Sequence, residues 1–262
     1  MIGFNALGKL GRLGNQMFQF ASLKGIARNR GYNFCFPPSN NQHEYQDHQL
    51  LIPFKLISTN ELNVQYIDNE RPSVVENGFG FDKNLYDTCP DWVSLQGFFQ
   101  TEKYFKNIKS EIKKDFEFKD DIRIPCEEMV STLDSPIALH IRRTDYITNP
   151  NHTCLGLDYY ERALKEFDDQ PVLIFSDDPK WCQEQKLFED DRFMISQDND
   201  QYIDMCLMTM CDGHIIANSS FSWWGAWLSN SSKVIAPKGW FEGSNNSHLD
   251  TKDIYCTDWI VL

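Results

Sequence analysis

The segment Pro136-Ile137-Ala138-Leu139-His140-Ile141-Arg142-Arg143-Thr144-Asp145-Tyr146 is a short apolar run that stops at two adjacent arginines. A run of this length reads as a buried strand of a parallel sheet. Arginine cannot shed its charge, so a pair at the end of a buried strand needs an anion. Asp145 supplies one negative charge, and two arginines against one aspartate leave a positive surplus. An ion pair closing the strand would account for one arginine and one aspartate. His-x-Arg-Arg-x-Asp as a whole fits a pocket for a phosphate or diphosphate.

The same regularity continues toward the C-terminus. Strands are expected at 137–141, 171–175, 193–195, 214–217 and 233–236, with helices at 159–167, 181–188, 202–211 and 222–228 between them. Strand and helix alternating at this spacing predict an α/β fold, a parallel sheet with helices on both faces. Ligands of such sheets bind beyond the carboxyl ends of the strands. There stand Arg142-Arg143-Thr144-Asp145, Ser176-Asp177-Asp178 and Asn218-Ser219-Ser220. Three polar clusters are thus brought to one sheet edge.

Their chemistry agrees. Asn218, Ser219 and Ser220 open the helix that begins at Phe221, where unpaired backbone N–H groups suit either plain capping or a phosphate. Asp177 and Asp178 precede Pro179. They read as a helix cap that also supports the arginines, with a metal-binding pair as the other reading. Two arginines can neutralise a diphosphate without a metal. Asp204, in the first turn of its helix, either favours the helix dipole or accepts a hydrogen bond from a base edge.

Toward the N-terminus, a strand in the first ten residues leads to Gly8-Lys9-Leu10-Gly11-Arg12-Leu13-Gly14-Asn15-Gln16-Met17 and a helix ending before Gly31. This is a strand, a glycine loop and a helix, without the Walker or Gly-x-Gly-x-x-Gly pattern. Tyr32–Phe36, Val74-Val75 and Trp92–Leu95 read as further strands, and Thr101 caps a helix running from Glu102 to Lys114. The charged stretch 115–134, which contains Pro125, is read as the boundary between domains 1–130 and 131–262.

Composition narrows the function. A chain of 262 residues with 41% hydrophobic residues supports one large or two small domains. A net charge of -13 argues against nucleic acid and against an electrostatic hold on anionic lipid. No apolar run approaches the roughly twenty residues of a membrane span, and no signal peptide is evident, so a cytoplasmic location is expected. Peripheral association with lipid-linked acceptors is compatible with this. The eight cysteines lack zinc spacing and read as reduced thiols.

At these residues the chain resembles a known family. His140-Ile141-Arg142-Arg143-Thr144-Asp145 resembles the motif shared by fucosyltransferases that make α1,2, α1,6 and protein-O linkages. Ile216 to Leu228, Gly14 to Gln19 and Gly97 to Phe105 are similar to the α1,2-fucosyltransferase family specifically. The resemblance implies a GT-B-like pair of Rossmann-type domains facing a cleft, the first on the acceptor side and the second binding GDP-fucose. It implies an inverting transfer of fucose from GDP-fucose to the 2-hydroxyl of a β-galactoside, in an oligosaccharide or surface polysaccharide. No metal or other cofactor is implied. By the same resemblance Arg142 holds the β-phosphate, Arg143 places the loop and donor, and His140 touches the nucleoside. Asp145 fixes the arginines or the sugar, Asp204 accepts from guanine, and Ser219 and Ser220, with Asn218 and Phe221 beside them, bind phosphate. Gly14, Asn15 and Gln16 belong to a loop facing the donor.

The match has departures. Gly11-Arg12-Leu13-Gly14 replaces the usual Gly-Gly-Leu-Gly. The glutamate that follows the motif in α1,6 relatives is missing, because 146–153 offers only His152. Asp145, committed to arginines, makes a poor base. The proton acceptor is therefore expected in the first domain, at His43, Glu44 or Asp47, with His152 next. Two other classes stay open: a nucleotide-dependent kinase or hydrolase, which would need a metal or a Walker lysine, and a noncatalytic nucleotide-sugar or glycan-binding protein.

Overall fold

The structure is a computed structural model and describes residues 1–39, 47–68 and 70–262. The chain forms two compact units, 1–119 with 250–254, and 120–249 with 255–262. Both are parallel α/β sheets.

The first unit contains β1 (Ile2–Gly3), α1 (Leu13–Arg30), β2 (Phe34–Cys35), β3 (Ser73–Val75), α2 (Lys83–Thr88), β4 (Ser94–Gln96) and α3 (Lys109–Asp115). Its sheet order is β2-β1-β4-β3. Helix α1 is buried almost throughout. Within it Lys24, 1% exposed, donates 2.6 Å to the fully buried Asp115 carboxylate at the end of α3. The helix expected over 102–114 is broken. Two 3-10 turns, Glu102–Tyr104 and Lys106–Ile108, precede α3. The cause is contact with α1: a Cβ on Gly25 would lie 2.0 Å from the Tyr104 carbonyl oxygen, so this backbone docks on α1 instead of continuing a helix.

The second unit opens with α4 (Asp120–Val130), followed by β5 (Ile137–Ile141), α5 (Thr144–Thr148), α6 (Leu157–Leu164) and β6 (Val172–Ser176). Then come α7 (Pro179–Gln183), β7 (Phe193–Ile195), α8 (Gln201–Thr209), β8 (Gly213–Ile215), α9 (Ser220–Leu228), β9 (Lys233–Ala236) and β10 (Ile260–Val261). The expected division at residue 130 falls too late. Despite Pro125, α4 is helical, and its buried Cys126 lies against α8, with Sγ 3.8 Å from the Ile203 carbonyl. The helix expected over 181–188 is α7 followed by a 3-10 turn.

The sheet order β10-β9-β8-β5-β6-β7 explains where a ligand would go. The chain builds outward from β5 through β6 to β7, then returns to the other side of β5 with β8. Beyond the carboxyl ends of β5 and β8, where the direction reverses, doubly wound sheets form their binding crevice. Strand β5 is buried along its whole length, as a central parallel strand must be. Its side chains join Val172, Ile174, Ile215 and Ile235 in a core closed by Tyr159, Tyr160 and Leu164 of α6. Tyr159 Oη donates 2.8 Å to the Ile216 carbonyl, holding the β8 exit.

Candidate active site

Parallel pairing aligns Ile141 of β5 with Ser176 of β6, so the residues that follow emerge side by side. Arg142 then meets Asp177, and Arg143 meets Asp178. Arg142 donates 2.6 Å from Nη2 to Asp145 Oδ1, and its Nη1 lies 3.2 Å from Asp177 Oδ2. The Arg143 backbone N–H donates 2.8 Å to Asp177 Oδ1, and its Nε donates 3.3 Å to Asp178 Oδ2. The Arg143 guanidinium also covers the Trp181 ring at 3.8 Å. The Thr144 hydroxyl donates to Asp177, while Asp178 caps α7 by accepting from the Trp181 N–H at 3.2 Å. Among the described residues, the positive surplus expected from Arg142, Arg143 and Asp145 is therefore absent. Counting Asp177 and Asp178, two formal positive charges face three negative ones.

The start of α9 is tied to the same edge. Ser219 caps it, accepting from the Phe221 N–H, and Ser220 is its first residue, one residue ahead of Phe221 and two ahead of the 222–228 span expected from the sequence. His140 is 6% exposed and its Nδ1 is 2.9 Å from Ser222 Oγ, with the Phe221 ring at 5.6 Å. Burial first, and the Arg142 charge second, push the imidazole down to about 3, so it is neutral. Asn218 is 2% exposed. Its amide donates 2.9 Å to the carbonyls of Thr153 and Trp240, while its Oδ1 is buried and has no hydrogen-bond partner among the described residues. Tyr146, at the end of the arginine motif, donates from Oη to the Asn218 carbonyl at 3.2 Å. His152 stacks on Tyr146 at 4.3 Å. Burial lowers its proton affinity, and its Nδ1 has no hydrogen-bond partner among the described residues.

Asp204 lies in the first turn of α8 and accepts 2.6 Å from Ser196 Oγ, just beyond β7. Burial raises its carboxyl to about 6. The cap of α8 is Asp200, which accepts from the N–H groups of Tyr202 and Ile203.

Gly14, Asn15 and Gln16 fall in the first unit. Gly14 is buried in the first turn of α1. A Cβ on Gly11, whose φ is +84°, would strike the Asn15 side chain, so this loop closes onto Asn15. Asn15 Oδ1 accepts from Gln100, which joins the glycine loop to the segment 97–105. Gln16 donates to the Gly11 carbonyl at 3.3 Å and accepts from the Gln49 N–H at 2.7 Å. Asp47 is half-buried with its backbone against Gly8. His43 and Glu44 lie outside the described residues.

Sequence reading passes over Ser222, Trp181 and Tyr146, whose roles depend on which strands are neighbours. It also misses Glu76, which accepts from the Phe98 and Phe99 N–H groups at 3.1 and 2.8 Å and sits 3.2 Å from Tyr104 Oη. Burial pushes Glu76 up to about 7.

Known proteins are similar to this chain in sequence and in fold. The chain is 29% identical to the O-antigen biosynthesis glycosyltransferase WbnK of Escherichia coli, over 96% of this chain and 98% of that one. It is 31% identical to an alpha-1,2-colitosyltransferase of Escherichia coli, over 92% and 93%. Galactoside alpha-(1,2)-fucosyltransferase 1 of Bos taurus is 24% identical over 86% of this chain and 66% of its own. Among solved structures, POFUT1 in complex with GDP superposes with a TM-score of 0.55 at 14% identity, covering 90% of this chain and 96% of that one. The fucosyltransferase NodZ from Bradyrhizobium gives 0.54 at 14% identity, covering 89% and 94%. The α/β fold with parallel sheets is thus that of GT-B-like fucosyltransferases. Glycosyl transferase family 11 matches residues 2–262, and the chain belongs to that family.

Proposed function

We propose that the chain transfers fucose from GDP-fucose to the 2-hydroxyl of a β-galactoside, within an oligosaccharide or surface polysaccharide, with inversion and without a metal. The observation that carries this reading is the pair of elements at the switch point. Arg142 and the start of α9 lie at one edge of the second sheet, joined through His140–Ser222 and Tyr146–Asn218. In this reading the acceptor hydroxyl attacks the anomeric carbon from the face opposite the diphosphate. Negative charge grows on the departing GDP, and a guanidinium with backbone N–H groups binds it more tightly as it leaves. Among the candidates within the described residues of the second unit, His152 is placed to serve as the proton acceptor, since it stacks on Tyr146 at the end of the arginine motif.

The similarity to an alpha-1,2-colitosyltransferase supports a second donor reading. Colitose is fucose without its 3-hydroxyl, so the linkage would be unchanged. Purified protein is assayed with GDP-fucose and with GDP-colitose against β-galactoside acceptors. An α1,2-linked product is expected. Arg142→Lys, which keeps the charge but loses the planar fork, should lower transfer at least about a hundredfold, roughly 2.7 kcal/mol of transition-state stabilisation. GDP binding without transfer or donor hydrolysis would favour a noncatalytic binder. Normal turnover in Arg142→Lys would remove the phosphate role.

A further inference from the structure

We propose that Asp145 is a built-in stand-in for the donor's phosphate, holding Arg142 until a diphosphate displaces it and reclaiming it as product leaves. This rests on the donor-site reading above. The charge count motivates it. Two guanidinium groups already face three carboxylates, so a diphosphate entering an unchanged cluster would meet net repulsion. One carboxylate has to move, and the three are not held equally.

Asp177 accepts from the Arg143 backbone N–H and from the Thr144 hydroxyl as well as pairing with Arg142, and its side chain is 18% exposed. Asp178 caps α7 through the Trp181 N–H while pairing with Arg143. Moving either would leave backbone groups unsatisfied. Asp145 is 45% exposed and is bound through the Arg142 guanidinium at 2.6 Å, the Thr144 hydroxyl proton being taken by Asp177. It stands on α5, a helix of five residues. Only the carboxylate side of this pair is exposed, Arg142 being 17% exposed, and exchanging Asp145 for a phosphate keeps the guanidinium paired, so the exchange is inexpensive. Asp145 therefore competes with the ligand for one guanidinium, which selects for anions carrying enough charge to win.

The test titrates GDP, and separately inorganic pyrophosphate, into the full chain and its Asp145→Asn and Asp145→Glu forms by calorimetry. Dissociation of a fluorescent GDP analogue is followed by stopped flow. Asp145→Asn is expected to bind GDP about fivefold tighter and release it correspondingly more slowly, while Asp145→Glu behaves like the parent. A site that had only lost structural support would bind more weakly, so the sign decides. Unchanged or weaker GDP binding in Asp145→Asn overturns the proposal. If none of the three proteins binds GDP, the donor reading fails. The pyrophosphate titration then decides Asp145 by itself, tighter binding in Asp145→Asn supporting competition and unchanged or weaker binding ending it.

Discussion

Burial holds the Asp204 carboxyl at about 6 against an ordinary value of 3.8. A carboxyl whose pKa is raised on folding contributes stability that is fully present below the unfolded value. That contribution is lost as pH rises through the folded value. At neutral pH the chain therefore carries an ionised group it would be more stable without. Asp204→Asn still accepts from Ser196 Oγ and should melt about 5 °C higher than the parent at pH near 8, with the gain vanishing near pH 4. Differential scanning calorimetry at the two pH values checks this, and an equal shift at both would contradict it. If Asp204 accepts from a base edge, the same variant binds GDP more weakly. His140 behaves differently. With its pKa near 3 it stays neutral through any ordinary assay range and adds no limb to a pH–rate profile.

Helix α1 is anchored by charge as well as by packing. Lys24 and Asp115 are both withdrawn from water, and Asp115 also accepts from the Ser58 N–H at 2.8 Å. Removing Asp115 leaves the buried Lys24 with only the partly exposed Glu111, 3.2 Å away, so Asp115→Ala should destabilise the protein by roughly 3 kcal/mol in urea unfolding, the low end for breaking a buried pair. A loss below about 1 kcal/mol would show that Glu111 or water satisfies Lys24 without Asp115. The sequence displays some elements better than others. Strand β5 and its arginines are legible because an apolar run ending in fixed charge has few readings. The pairing of Arg142 with Asp177 is not legible, since it depends on β6 being the neighbour of β5 in that register. The break at Phe105 is hidden for a similar reason. Its apolar spacing is helical, and only Gly25 on another helix shows why the backbone departs. Helix α4 is masked by its charges and Pro125, which read as a linker until Cys126 is seen against α8.

At the scale of the whole molecule, a net charge of -13 repels any nucleoside diphosphate before the arginines can act. Salt screens that repulsion. The association rate of GDP should rise roughly twofold as sodium chloride goes from about 20 to about 200 mM, measured by stopped flow. A steep fall instead would mean that a local positive field dominates the approach. Among the described residues no helix is long and apolar enough to cross a membrane, and all eight cysteines are free thiols. The course of the chain limits how relatives could exchange parts. Residues 250–254 return to the first unit after most of the second is built, and Asp253 there accepts from the Phe81 N–H at 2.9 Å and pairs with Lys103. A single crossover near residue 119 between two family members would therefore seat one parent's Asp253 against the other parent's Phe81 and Lys103. An intact exchange of the second unit takes three junctions, at 119/120, 249/250 and 254/255. An exchange that keeps residues 250–254 with the N-terminal parent preserves the Asp253 contacts to Phe81 and Lys103.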